Sequence, residues 1–374
     1  MVPALRRWPC GLVLSLLTLA STLISEPTGW ARGEEPARPP EASTFRNPLK
    51  LQGADPWMTY HDGWYYLATT TSGDIRLRRA RRLAELKEAV DQVVWKDQTP
   101  SRFRDIWAPE FHRLDSGQGP RWYLYYTASD GEDTHHRLFV AESQGDDPFG
   151  PYAFKAKLQT DPDDAYYAID GTVLRMPTGA LYYLWCGRPS PAGQGLYIAR
   201  MSNPWTLAGP RTYLPADGFG CKVVREGPIP LLRNDRVFLI YSACPADTPD
   251  YKLGMLSAPL TSDPLLVASW TQHPEPVFVR NDEAGVYGPG HNFFFQSPDV
   301  RKTGSSIMRR RARRRPMPIA PRVPSASIGT RTAPPASANR SRSTGTSPPP
   351  PASIQPGSRI PPAIDQLDFI YSPA

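Results

Sequence analysis

Between residues 45 and 300 the chain alternates short apolar runs with Gly, Pro, Asp and Asn. Runs of this length, rich in aromatic and β-branched side chains and bounded by turn residues, predict β-strands. The four most aromatic are residues 64–67, 122–126, 181–185 and 237–241, and their starts lie 58, 59 and 56 residues apart. Helical periodicity is scarce, and residues 77–90 are the best candidate helix.

Each aromatic run follows a short polar motif. These are Gly53-Ala54-Asp55-Pro56, Trp107-Ala108-Pro109-Glu110, Ile169-Asp170-Gly171-Thr172 and Glu226-Gly227-Pro228. A fifth motif, Gly288-Pro289-Gly290-His291-Asn292, follows at a similar interval. A period near 60 with several strands per repeat predicts an all-β five-bladed β-propeller, one blade per repeat. The innermost strands would then bring the five motifs to one channel. A β-sandwich with coincidental spacing is the competing architecture.

Composition supports a packed body and locates the charge. Ten Trp, 17 Tyr and 13 Phe supply a core, while 44 Pro and 28 Gly exclude a coiled coil. The formal charge of +7 suggests an anionic partner. However, residues 301–374 hold 13 Lys and Arg against two Asp, and the other 300 residues hold 30 basic against 34 acidic. The body is thus mildly acidic, and no nucleic acid partner is expected.

Residues 1–31 read as a signal peptide. Arg6 and Arg7 precede an apolar run over 10–24, with Ala20, Ser21 and Ala31 at candidate cleavage positions. An uncleaved anchor is the alternative. The first reading predicts a secreted or periplasmic protein with no membrane contact after cleavage. Residues 32–44 read as a polar, Pro-rich linker. Past the signal, Cys186, Cys221 and Cys244 remain, an odd number compatible with one disulfide and a free thiol or with none.

After Asp299 the pattern collapses. Residues 301–374 contain 14 Pro, an arginine-rich run and two aromatics, and predict a disordered basic Pro/Ser-rich tail. A fifth aromatic run is due here. Codons can be chosen for residues 301–308 whose shifted frame reads Glu-Asp-Trp-Ile-Val-Tyr-His, which would be that strand. The expectation is a frameshift near Val300 that truncates the last blade, opens one side of the ring and leaves the chain poorly folded. A genuine tail for anionic surfaces is the other reading.

The converging motifs supply three carboxylates, Asp55, Asp170 and Glu226. Glycoside hydrolysis needs two: one protonated, to release the leaving oxygen, and one charged, to activate water or attack the sugar. A third beside the acid raises its pKa by like-charge repulsion. Trp57 and Trp107 are candidates for stacking on sugar faces, with Glu110 as a further substrate contact. A lone Asp in a Gly/Pro-flanked motif more often caps a turn.

In order and spacing the five motifs resemble glycoside hydrolase family 43, over about residues 45–300. The resemblance implies a five-bladed propeller acting by inversion on terminal α-L-arabinofuranosyl or β-D-xylosyl units of plant-type polysaccharides or oligosaccharides. It implies Asp55 as general base, Asp170 as the residue that tunes and orients the acid, and Glu226 as general acid. It places His291 in the central channel, either near Ca2+ or another ion or hydrogen-bonded without metal; no cofactor is required. Inversion separates base and acid carboxyls by roughly 6.5–9.5 Å. Two departures stand out: Glu110 where many members have Asp, and Phe293-Phe294-Phe295 in place of more polar residues. A non-catalytic carbohydrate-binding propeller, or an inactive remnant, is the alternative.

Overall fold

A computed structural model describes residues 47–190, 193–298, 303–310 and 368–373. The signal, the linker and residues 311–367 of the expected tail lie outside the described residues. Four four-stranded antiparallel sheets follow one another along the chain. The first holds β1 (Trp57–His61), β2 (Trp64–Ala68), β3 (Ile75–Ala80) and β4 (Gln92–Trp95). The second holds β5 (Arg104–Asp115), β6 (Pro120–Ser129), β7 (Arg137–Ser143) and β8 (Tyr152–Leu158). The third holds β9 (Ala168–Arg175), β10 (Leu181–Gly187), β11 (Gly195–Asn203) and β12 (Thr206–Leu214). The fourth holds β13 (Arg225–Arg233), β14 (Arg236–Ala243), β15 (Lys252–Pro259) and β16 (Thr271–Gln272).

Each sheet is a meander whose first strand lies innermost. Strands β1, β5, β9, β13 and the later β17 (Tyr287–Gln296) touch in cyclic order, β17 closing on β1. This is the expected β-propeller. The aromatic runs are the second strands. β6, β10 and β14 are buried along nearly their whole length. A strand covered on both faces by neighbouring blades carries continuous apolar sequence rather than alternation.

One apolar cluster fills each gap between blades. Trp57, Ile75, Phe111, Trp122 and Tyr126 fill the first, and Tyr123, Tyr125, Tyr183 and Trp185 the second. Leu184, Ile198, Leu239, Tyr241 and Trp270 fill the third. The last two gaps involve a fifth, incomplete sheet of β17, β18 (Thr303–Arg310) and β19 (Asp368–Pro373). Ile307 of β18 packs with Phe238, Ile240, Leu253 and Met255, and Phe295 packs with Leu49, Met58, Tyr65 and Leu67.

The last blade is therefore truncated rather than missing. β17 and β18 pair antiparallel, and β19 adds in parallel where a third antiparallel strand would lie. The boundary expected at residue 300 falls inside this sheet, because Thr303–Arg310 belongs to it. The inner ring is not open on that side. Ser306 Oγ donates to the Pro56 carbonyl at 3.2 Å, tying β18 to the first blade. The Phe293-Phe294-Phe295 departure now has a physical role. Phe293 lies 5.9 Å from Trp57, Phe294 packs into the cluster between sheets four and five, and Phe295 meets Tyr65 edge-on.

Two further expectations resolve here. Residues 77–90 do not form a helix: they contain the end of β3 and a single 3-10 turn, Leu83–Lys87. Leu77 and Ala80 point into the core of a strand whose partners across the sheet outweigh local helix propensity. Cys221 and Cys244 form a disulfide, and Cys186 is a buried free thiol.

Candidate active site

The same backbone device recurs on the inner strands β5, β9, β13 and β17 and, at Asp55, just before β1. Asp55, Ala108, Asp170, Gly227 and His291 have φ of 50°, 44°, 54°, 55° and 42°. Register breaks accompany them in β5, β9, β13 and β17. A bulge with one left-handed residue bends the strand and re-aims the side chains beside it. Non-glycine residues hold this conformation at a cost of about 1 kcal/mol or more each, a strain concentrated at functional sites. At Gly227 a Cβ would also stand 3.2 Å from the His291 ring.

Hydroxyls on the second strands, or for Thr70 just past the end of one, clamp these bulges across blade boundaries. The Ala108 N–H donates to Thr70 Oγ1 at 2.7 Å, the Asp170 N–H to Thr127 Oγ1 at 3.2 Å, and the His291 N–H to Ser242 Oγ at 2.7 Å. The Gly227 N–H instead donates to Asp170 Oδ2 at 3.0 Å. At the corresponding place in β10 stands Cys186, a poorer acceptor.

The structure brings Asp55, Asp170, Glu226 and His291 together. His291 Nδ1 lies 3.0 Å from Asp55 Oδ1 and 4.0 Å from Asp170 Oδ2. Thr70 Oγ1 donates to Asp55 Oδ2 at 2.6 Å. Glu226 accepts from Tyr251 Oη on Oε1 at 2.9 Å and from Gln194 Nε2 on Oε2 at 3.0 Å.

Three carboxyls of one type are thereby driven apart. Burial alone would raise the Asp55 pKa, but the His291 charge and hydrogen bonds from His291 and Thr70 hold it below the usual value. Burial, with Asp55 and Glu110 nearby, pushes Asp170 up to about 6 against His291 and the Gly227 N–H. Burial, then Asp170 and Asp55, push Glu226 up to about 8 against His291 and Tyr251. At neutral pH, Asp55 is a carboxylate and Glu226 a carboxylic acid. This is the pairing a base and an acid need.

His291 is a partner of Asp55. Burial opposes its charge, yet Asp55, Asp170 and Glu226 together raise it to about 10. Among the described residues no group of three or more His, Cys, Asp or Glu is placed to hold a metal ion. No such group supports the ion expected near His291; what the described residues show there is its contact with Asp55.

The other expected contacts divide. Trp57 is corrected to a core residue: it is 1% exposed, with Phe111, Trp122 and Phe293 around its ring. Glu110 is buried and pairs with His112 Nε2 at 2.7 Å, so it reaches the site as a charge acting on Asp170. Trp107 is partly buried, stacks on His136 at 4.1 Å and packs near Tyr167, Ile169 and Cys186. Sequence reasoning missed Thr70, Thr127, Ser242, Gln194 and Tyr251. The hydroxyls carry a signal, since each follows its aromatic run's start by five or six residues. Gln194 and Tyr251 carry none.

A propeller with an ionised Asp and a protonated Glu at its axis defines a class of protein, a propeller glycosidase. The model for glycosyl hydrolases family 43 matches residues 45–315. An extracellular exo-α-(1→5)-L-arabinofuranosidase of Streptomyces chartreusis is 36% identical over 274 residues, covering 70% of this chain and 81% of that protein. A protein of the same name from Streptomyces avermitilis is also 36% identical, and there the match covers 76% of this chain and 58% of the relative. The crystal structure of an α-L-arabinofuranosidase from Lactobacillus brevis superposes with a TM-score of 0.63 at 34% identity, covering 69% of this chain and 84% of that one. The chain belongs to glycosyl hydrolase family 43, whose members hydrolyse O-glycosyl bonds.

Proposed function

We propose that this protein removes terminal α-L-arabinofuranosyl units from plant-type polysaccharides or oligosaccharides, with inversion. Asp55 takes a proton from the attacking water, Glu226 protonates the leaving oxygen, and Asp170 keeps Glu226 protonated until it is needed. The observation that carries this reading is the split among three clustered carboxyls, one lowered and two raised. The names of the similar proteins favour arabinofuranosyl over β-D-xylosyl release. Trp107 is the aromatic left to face the sugar. The relatives named extracellular agree with residues 1–31 acting as a secretion signal. No helix among the described residues is long and apolar enough to cross a membrane.

Proton NMR of the first product from 4-nitrophenyl α-L-arabinofuranoside tests the proposal. The β-anomer should appear first and then mutarotate. First appearance of the α-anomer would refute inversion, and failure to hydrolyse either this substrate or the β-xyloside would refute catalysis by this chain.

A further inference from the structure

Glu226 is gripped from two sides by residues in corresponding places. Gln194 immediately precedes β11 and Tyr251 immediately precedes β15, the third strands of the preceding blade and of the blade that carries the acid. Tyr251 is kept protonated by burial, so it donates to Oε1. An amide is less constrained, because it can present either a donor or an acceptor.

Here its orientation is imposed from behind. Arg188 Nη2 donates to Gln194 Oε1 at 3.1 Å. A guanidinium can only donate, so the amide oxygen must face Arg188 and the NH2 must face Glu226 Oε2. Arg188 is itself held: Nη1 donates to Asp133 Oδ2 at 3.0 Å, and the guanidinium lies 3.9 Å over the Tyr167 ring. The Gln194 main chain is held too. Its N–H donates to the Val223 carbonyl, and its carbonyl accepts the Arg225 N–H, both at 3.2 Å. Arg225 adjoins Glu226, so the amide is indexed to the strand that carries the acid.

We propose that Gln194 is a positioning residue for the general acid, and that Arg188 enforces the amide orientation this requires; the proposal rests on reading Glu226 as that acid. During reaction the Glu226 proton moves to the departing glycosidic oxygen and the C1–O bond breaks. The water oxygen bonds to C1, and its proton passes to Asp55. Glu226 thus becomes an anion. Donors already fixed on both its oxygens gain strength as that charge develops. The other charged groups that face Glu226 are Asp170, His291 and Asp55. None of them addresses Oε2 with an N–H.

A residue that acts through the acid leaves a signature that a merely structural one does not. A nitrophenol departs with little protonic help, whereas a sugar alcohol needs the proton. The test is kcat and KM for the full chain and for Gln194→Met, Arg188→Met and Glu226→Gln. The substrates are 4-nitrophenyl α-L-arabinofuranoside and α-1,5-arabinobiose. Losing one hydrogen bond to a developing charge predicts that Gln194→Met lowers kcat on arabinobiose by about 10- to 100-fold. The loss on the nitrophenyl substrate should be several-fold smaller, with KM on both substrates within about threefold of the parent. Arg188→Met should show a weaker version of the same bias. Gln194→Asn, too short to reach Oε2, serves if the methionine variant does not fold.

Equal losses on both substrates, or no loss, in Gln194→Met would overturn the positioning role. Glu226→Gln separates the two levels. If it shows the leaving-group bias and Gln194→Met does not, only the inference fails. If Glu226→Gln itself loses both substrates equally, the reading of Glu226 as acid fails and the inference with it.

Discussion

Replacing the proposed acid should stabilise this protein, and by an amount that depends on pH. In Glu226→Gln a carboxyl that resists ionisation becomes a neutral amide of nearly the same shape. The folded-state pKa is raised from 4.5 to about 8. A raised carboxyl costs stability once the unfolded chain ionises above 4.5, and the cost grows until the folded group ionises too, near 8. At pH 7 the gap of 2.5 units from the unfolded value amounts to at most about 3 kcal/mol, at 1.36 kcal/mol per unit. Glutamine loses part of this, because its NH2 opposes one of the donors, Tyr251 Oη and Gln194 Nε2. That mismatch costs on the order of 1 kcal/mol. The net expectation is about 2 kcal/mol of stabilisation at pH 7, and none or a slight loss at pH 4. For a domain of this size it corresponds to about 5 °C in Tm. Thermal unfolding of parent and variant, followed by circular dichroism from pH 4 to 8, measures it. A Tm difference that stays constant with pH, or a variant less stable than its parent at pH 8, would refute the raised pKa and the acid assignment built on it.

Three other outcomes are expected. Activity requires Glu226 protonated and Asp55 charged, so kcat/KM should fall as pH rises through about 8 and hold until pH drops below the usual aspartate range; a basic limb below pH 6 would contradict the assignment. Phe295→Ala should cost about 3 kcal/mol or more and lower Tm by on the order of 10 °C, because the ring fills the closure between the fifth and first blades; a change under 1 kcal/mol would mean that the closure carries no load. Sequencing the gene across the codons for residues 299–308 should show a second frame that reads Trp-Ile-Val-Tyr-His and continues β-rich and Pro-poor. If no frame does so, the basic tail is genuine.

Much of the architecture was legible because it repeats. The 56–59-residue steps between aromatic runs mark four blades and the fifth polar motif marks the last, and the runs are continuous because second strands are covered on both faces. The motif residues Asp55, Asp170, Glu226 and His291 could be named for the same reason. Trp57 was misjudged because a motif-adjacent aromatic looks alike whether it faces a sugar or a neighbouring blade. The helix expected over 77–90 failed because local periodicity does not register a strand partner. The closure by Phe295 and Ile307 escaped notice because β18, where the fifth aromatic run was due, holds no aromatic residue and so does not look like the second strand of a blade.

The sequence by itself determined that five polar motifs recur on one strand of each repeat, and hence which residues meet at the axis. It left the charge on each one open. Asp55 and Glu226 differ by one methylene and have similar pKa values in water; only the fold sets His291 and Thr70 against one, and burial and Asp170 against the other. It likewise left open the grip of Gln194 and Tyr251 on the acid, 32 and 25 residues away along the chain. Strand order follows from periodic side-chain burial, which is written locally. Protonation and hydrogen-bond direction follow from distance and desolvation, which exist only once the blades have closed.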